Sequence, residues 1–156
     1  MMIEIAARPI DAAAFAPFGQ IVDCPDGQGR VNFAATVENR RPAARTNLAC
    51  VRPPVTDLPV TVDRMERHPF STQAFLPLDV SRYLVIVAPT KDGGPDAAGI
   101  IAFTVPAGIG ISYLPDVWHC GMLLLDRPGT LAMLVHEDGS PDDCIYHPVP
   151  PFVVVV

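Results

Sequence analysis

The chain has 156 residues, of which 49% are hydrophobic and only 18% charged, with a formal net charge of −6. That length supplies one ordinary hydrophobic core, and the apolar content excludes a disordered acidic chain. The negative balance argues against nucleic acid, whose phosphates need a basic face.

A small anionic ligand stays open, because a pocket needs only a few local cations. Arg30, Arg40, Arg41 and Arg45 sit close in sequence and could supply one. The N-terminal stretch lacks a basic region followed by an apolar one, no run approaches a membrane span, and the closing VVVV is too short to be one. Cys24, Cys50, Cys120 and Cys144 form no C-x-x-C pair. These features predict a soluble cytoplasmic protein with reduced thiols.

Proline occurs 18 times, more than twice its usual share of about 5%, and it cuts the chain into short pieces. DAAAFAPFG predicts one short helix, capped by Asp11 and ended at Pro17 and Gly19. Thereafter QIVD, NLACV, PVTVDRM, TQAFLPL, RYLVIVA, GIIAFTV, GISYL, TLAMLVH and CIYH have strand length and composition. Turn signals such as KDGGPD, PAG, DRPG and EDGSPDD separate them. About ten short strands predict an all-β sandwich or barrel. Residues 1–156 read as a single domain, without repeat or linker.

Within this apolar chain MERHPFSTQAFLPL is a polar knot. Glu66 and His68 are two apart, so an extended backbone turns both to one face. Pro69 and Phe70 shift the phase, which lets Gln73 point the same way. In GISYLPDVWHCG, Tyr113 and His119 end a strand and enter a turn. A barrel would bring His119 opposite Glu66, His68 and Gln73. These side chains either satisfy buried backbone groups or face one pocket.

The pattern E-x-H-x4-Q followed far downstream by a lone His resembles the two-part signature of cupins. ERHPFSTQAFLPL is similar to the central motif of ureidoglycolate lyases, also called ureidoglycolate hydrolases. PIDAAAFAPFGQIVD, RVNFAATVENRRPAA, GISYLPDVWH and DGSPDDC resemble further segments of that family, in order. Cys120 and Gly121 depart from it, standing where the family commonly has His-Pro, so a second imidazole is missing.

The resemblance implies a cupin-type double-stranded β-helix, a jelly-roll barrel with a few short helices, and a homodimer. It implies cleavage of ureidoglycolate to glyoxylate and urea in allantoin and purine breakdown. Glu66 would act as base and His68 or His119 as acid, and burial in an apolar barrel is expected to raise the Glu66 pKa. Gln73 and Tyr113 would hold the ureido group, Arg45 or another of the clustered arginines, or Arg67, would serve the substrate carboxylate, and Asn32 would also contact the substrate. The resemblance also allows a divalent metal, nickel among them, held by Glu66, His68, Gln73 and His119. A non-catalytic cupin binding a small carboxylate is the rival reading, favoured by Cys120 and opposed by the intact central motif. An iron-dependent cupin dioxygenase would need an H-x-H that the chain lacks.

Overall fold

The computed structural model describes residues 2–24, 26–33 and 37–156. Its one α-helix, α1 (Ala12–Phe15), is capped as expected: Asp11 Oδ1 accepts from the Ala14 N–H at 2.9 Å. Two further short turns of 3-10 helix span Ala97–Gly99 and Pro141–Asp143.

The rest is β-structure. In chain order the strands are β1 (Ile3–Ala6), β2 (Arg8–Pro9), β3 (Gly19–Val22), β4 (Arg45–Val51) and β5 (Val60–Arg67). Then come β6 (Gln73–Asp79), β7 (Arg82–Ala88), β8 (Thr90–Lys91), β9 (Gly94–Pro95) and β10 (Ile101–Pro106). The last are β11 (Gly110–Tyr113), β12 (Trp118–His119), β13 (Leu123–Leu125), β14 (Thr130–Glu137) and β15 (Ile145–Val155). One sheet runs β1-β15-β5-β12-β7-β10-β2, with β13 also on β7, and the other runs β3-β11-β6-β14-β4. Strands far apart in sequence are neighbours, as in a cupin-type jelly roll, and the expected all-β class holds.

Strand β7 shows why these residues make this architecture. Tyr83, Val85 and Val87 enter a core between the two sheets, with Phe15, Phe75, Phe103, Ile111 and Leu131. Leu84, Ile86 and Ala88 enter a second cluster on the opposite face, with Met65, Trp118, Cys120 and Phe152. A strand covered on both faces reads as a continuous apolar run, not as an alternating one. At the edge of the inner core β3 comes very close to β11. A Cβ on Gly19 would lie 2.1 Å from the Ser112 carbonyl oxygen, so only glycine fits opposite Tyr113.

The sequence reading found nine of the strands but stopped β15 at CIYH and passed over β1, β2, β8, β9, β12 and β13. Strand β15 continues through Pro148, Pro150 and Pro151 because its register with β5 shifts between Pro148 and Phe152. Pro150 and Pro151 fall in that irregular stretch and Pro148 at its edge, where prolines are tolerated in sheets.

Candidate active site

The site grows from the alternation just described. His119 of β12 pairs with Val87 on one side and Glu66 on the other, so both face the inner core. Trp118, Cys120 and Met65, one residue out of phase, face the second cluster. His68 lies just past the end of β5 and is buried, as is Gln73 at the start of β6. Tyr113 stands opposite Gln73 in the β6–β11 ladder. The structure therefore brings Glu66, His68, Gln73, Tyr113 and His119 together.

The His119 ring stacks on Tyr113 with centroids 4.1 Å apart and on His68 at 5.4 Å. Its Nε2 is 3.6 Å from Glu66 Oε1, an ion-pair distance beyond hydrogen-bond reach. Both imidazoles are oriented from behind by carbonyl oxygens. His119 Nδ1 lies 2.9 Å from the Val117 oxygen and His68 Nδ1 lies 2.8 Å from the Asp143 oxygen. A carbonyl accepts only, so each Nδ1 carries hydrogen, and in the neutral ring each Nε2 is a bare lone pair.

Those two Nε2 atoms, Gln73 Oε1 and the Tyr113 hydroxyl are all buried without a hydrogen-bond partner among the described residues. Buried polar atoms are normally paired, so four orphans in one place mark a seat for something else. Donor atoms of Glu66, His68 and His119 also lie within 4.8 Å of one another. Two imidazoles and a carboxylate suit a divalent ion of borderline softness. The residues present fit a metal.

Burial works to raise the Glu66 pKa, but the neighbouring imidazoles of His119 and His68 outweigh it and hold the carboxyl below its ordinary value. This corrects the expectation of a raised value, which counted desolvation and not the two rings. Burial pushes the His68 pKa down, and the charge of His119 adds to that. Burial also holds the Tyr113 hydroxyl well above its usual range, so it stays a protonated donor. Cys120 is pushed up to about 12 by burial and donates to the Arg64 carbonyl oxygen at 3.8 Å, away from the imidazoles. Cys144 approaches the site from β15's lead-in, its Sγ 3.8 Å from Glu66 Oε2.

The turn that carries Asp143 is tied down by Arg41. This guanidinium reaches Ser140 Oγ at 3.0 Å, Asp138 Oδ2 at 2.9 Å and the Asp143 carboxylate, and it lies over the Phe70 ring. Arg41 thus works on the carbonyl behind His68 and not on a ligand. Of the other expected cations, Arg40 pairs with Glu38, and Arg67 pairs with Asp116 while stacking on Trp118. Arg45 is exposed at the start of β4 opposite Glu137, and Asn32 is exposed in the loop before β4. Neither Arg45 nor Asn32 is among the residues that line the hollow reaching Glu66.

That hollow encloses about 300 Å3 and is lined by Glu66, Gln73, Phe75, Met122, Met133 and Arg52. Arg52 was missed in the sequence because nothing local connects it with Glu66. A mostly apolar hollow of about 180 Å3 lies elsewhere, between Leu48, Leu76 and Leu134, with Ser112 in its lining and no ionisable group.

A jelly-roll barrel with two buried imidazoles clustered on an acid, and with that acid and an amide opening on a small hollow, defines a cupin-type enzyme site. The ureidoglycolate lyase family profile matches residues 2–156. The chain is 34% identical over 148 residues to "Ureidoglycolate lyase 2" of Rhizobium meliloti (strain 1021), covering 89% of each chain. It is 37% identical over 136 residues to the ureidoglycolate lyase of Mesorhizobium japonicum, covering 81% of this chain and 82% of that one. With that of Pseudomonas putida (strain W619) it shares 32% over 156 residues, covering 94% and 92%. The chain belongs to the ureidoglycolate lyase family.

Proposed function

We propose that this protein is itself a ureidoglycolate lyase, one domain over 1–156, splitting ureidoglycolate into glyoxylate and urea. The observation that carries the reading is the convergence of Glu66, His68 and His119 within 4.8 Å in a member of that family. The substrate is a hemiaminal whose central carbon bears a hydroxyl, a carboxylate and a ureido nitrogen. As the hydroxyl loses its proton, its oxygen forms the aldehyde C=O and the C–N bond breaks. The leaving nitrogen takes up a proton, so one proton moves from oxygen to nitrogen and nothing else is consumed.

Glu66, ionised at neutral pH, accepts the hydroxyl proton, and His119 at 3.6 Å is the partner through which that proton passes on. Such transfers are typically worth about 10²–10⁴-fold. Burial holds His68 neutral, which leaves it little proton to give and favours His119, the ring beside Glu66, as the acid. Gln73 and the Tyr113 hydroxyl hold the ureido group. Glu66, His68 and His119, with Gln73 Oε1, would hold a divalent ion, nickel among the candidates. When bound, such an ion supplies charge stabilisation for the developing oxyanion.

The departure at Cys120 does not weigh against this reading. Residue 120 packs in the cluster behind His119, and the proton transfer written above uses no second imidazole. The test is release of urea and glyoxylate from ureidoglycolate by purified protein, before and after a chelator and after return of nickel, manganese or zinc. Turnover is expected, and its loss to chelator with recovery on one ion identifies the metal. Absence of turnover under every condition overturns the reading.

A homodimer and a cytoplasmic setting complete this reading. Exposed Leu48, Leu76 and Leu78 on the outer side of the smaller sheet support the dimer, which sedimentation as a monomer would refute. All four cysteines are free, and no helix of the described residues is long and apolar enough to cross a membrane.

A further inference from the structure

The hollow above Glu66 has one cationic side chain among the described residues that line it, Arg52. The segment that carries it is held on both sides. Val51, just before, pairs with Leu131 of β14. Just after, the Pro54 carbonyl accepts from the Leu124 N–H at 2.9 Å, and the Thr56 N–H donates to the Leu124 carbonyl at 2.9 Å. Pro53 and Pro54 fix two further φ angles between these anchors. Arg52 therefore leaves from a strap pinned to both sheets, and its backbone cannot drift from the opening.

Its charge is also free. Arg40, Arg41, Arg67, Arg82 and Arg127 each pair with a carboxylate. Arg52 has no ion pair or hydrogen bond among the described residues. The other ionisable group at the hollow is the Glu66 carboxylate. An anionic ligand is repelled by Glu66 and attracted by Arg52, so the two charges set its direction as well as its affinity.

We infer that Arg52 binds the carboxylate of the substrate and makes an α-carboxylate a requirement of this site. The guanidinium fork matches a carboxylate with two parallel N–H donors. A carboxylate held there turns the rest of the molecule, its hydroxyl and ureido group, toward Glu66 and Gln73. This inference rests on the lyase reading for the identity of the substrate, but not for the binding of a small carboxylate.

The test compares Arg52→Met and Arg52→Lys with the parent chain, and uses Lys91→Met as a control on the exposed strand β8. Arg52 is exposed, so these variants keep the fold, which a melting curve checks. Arg52→Met is expected to raise KM for ureidoglycolate about 10- to 100-fold, with a smaller change in kcat. Arg52→Lys should recover part of the loss, and Lys91→Met should change nothing. Calorimetric titration with glyoxylate gives a second readout free of turnover, with affinity expected to fall by at least about 10-fold in Arg52→Met. Unchanged KM and unchanged glyoxylate affinity in Arg52→Met would overturn the inference while leaving the lyase reading intact. Arg52-dependent glyoxylate binding without urea release would overturn the lyase reading and leave the inference standing. A parent chain that neither turns over ureidoglycolate nor binds glyoxylate would overturn both.

Discussion

Tyr83 and Tyr113 are both sealed in the core between the sheets, at 0% and 1% exposure, yet their hydroxyls meet opposite fates. The Tyr83 hydroxyl donates to the Ile109 carbonyl at 2.7 Å, closing its end of the interior. The Tyr113 hydroxyl has no partner and lies among three other buried polar atoms in the same condition. An unmet buried donor or acceptor costs about 1–3 kcal/mol. One end of the interior is thus built for stability, and the other accepts an instability that a ligand relieves. Positions that break a local rule in an otherwise consistent fold are where function is expected.

Mutation can sharpen this contrast or break it. The largest effect is expected at Glu66. Glu66→Gln keeps size and removes basicity, so kcat should fall about 10²-fold or more, with the melting temperature nearly unchanged. Full activity in that variant would remove the carboxylate from the mechanism.

The two tyrosines come next, and they should separate activity from stability. Tyr113→Phe removes an unpaired hydroxyl, so melting should stay or rise while turnover falls on the order of 10-fold. Tyr83→Phe leaves the Ile109 carbonyl alone, so stability should fall by about 1 kcal/mol while turnover is kept. Equal effects of the two changes on both measurements would erase the distinction between the two ends.

The smallest effect concerns acid. The Ser140 contacts hold the Asp138 carboxyl below its ordinary value of 3.8. At Asp143 burial works the other way but is outweighed by Arg41 and the Asp138 and Gly139 N–H groups, so its value is lowered too. Folded values below the unfolded ones mean stability that is present above pH 3.8 and lost as pH falls through the lowered values. Melting temperature should therefore decline below about pH 4, and an Asp143→Asn variant should show a shallower decline. A variant as acid-sensitive as the parent would remove this turn from the account.

Much of this was legible in the sequence where the signal is local. RYLVIVA and TLAMLVH are long apolar runs that only buried strands explain, and Asp11 announces its helix. Glu66 and His68 could be paired by alternation, and the bulk of PFS between His68 and Gln73 signalled the phase change. What escaped depends on partners far away in sequence. Strand β15 was cut short because its prolines looked like breakers, and only the register shift against β5 shows where they sit. Arg45 was singled out at the start of β4, and Arg52, just past its end at Val51, was passed over. Seven residues of extended chain separate them by about 23 Å, so nearness in sequence to other arginines said nothing about nearness to Glu66. The Glu66 pKa went astray for the same reason, since its two imidazoles arrive from other segments.

The carbonyl behind His68 belongs to Asp143, 75 residues away, in the turn that leads directly into β15. Strand β15 is in turn the neighbour of both β5 and β1 in the larger sheet. A chain emerging from the ribosome therefore carries its Glu66–His68 segment for a long interval with one flank bare and one ring unoriented. Pairings this distant in sequence are slow to close, in the ms–s range for comparable β-folds. The site is therefore expected to mature only once β15 has docked on β5. Trp118, edge-on to His147 of that strand at 5.5 Å, is placed to report the docking by fluorescence. Its signal should settle in step with the onset of turnover during refolding.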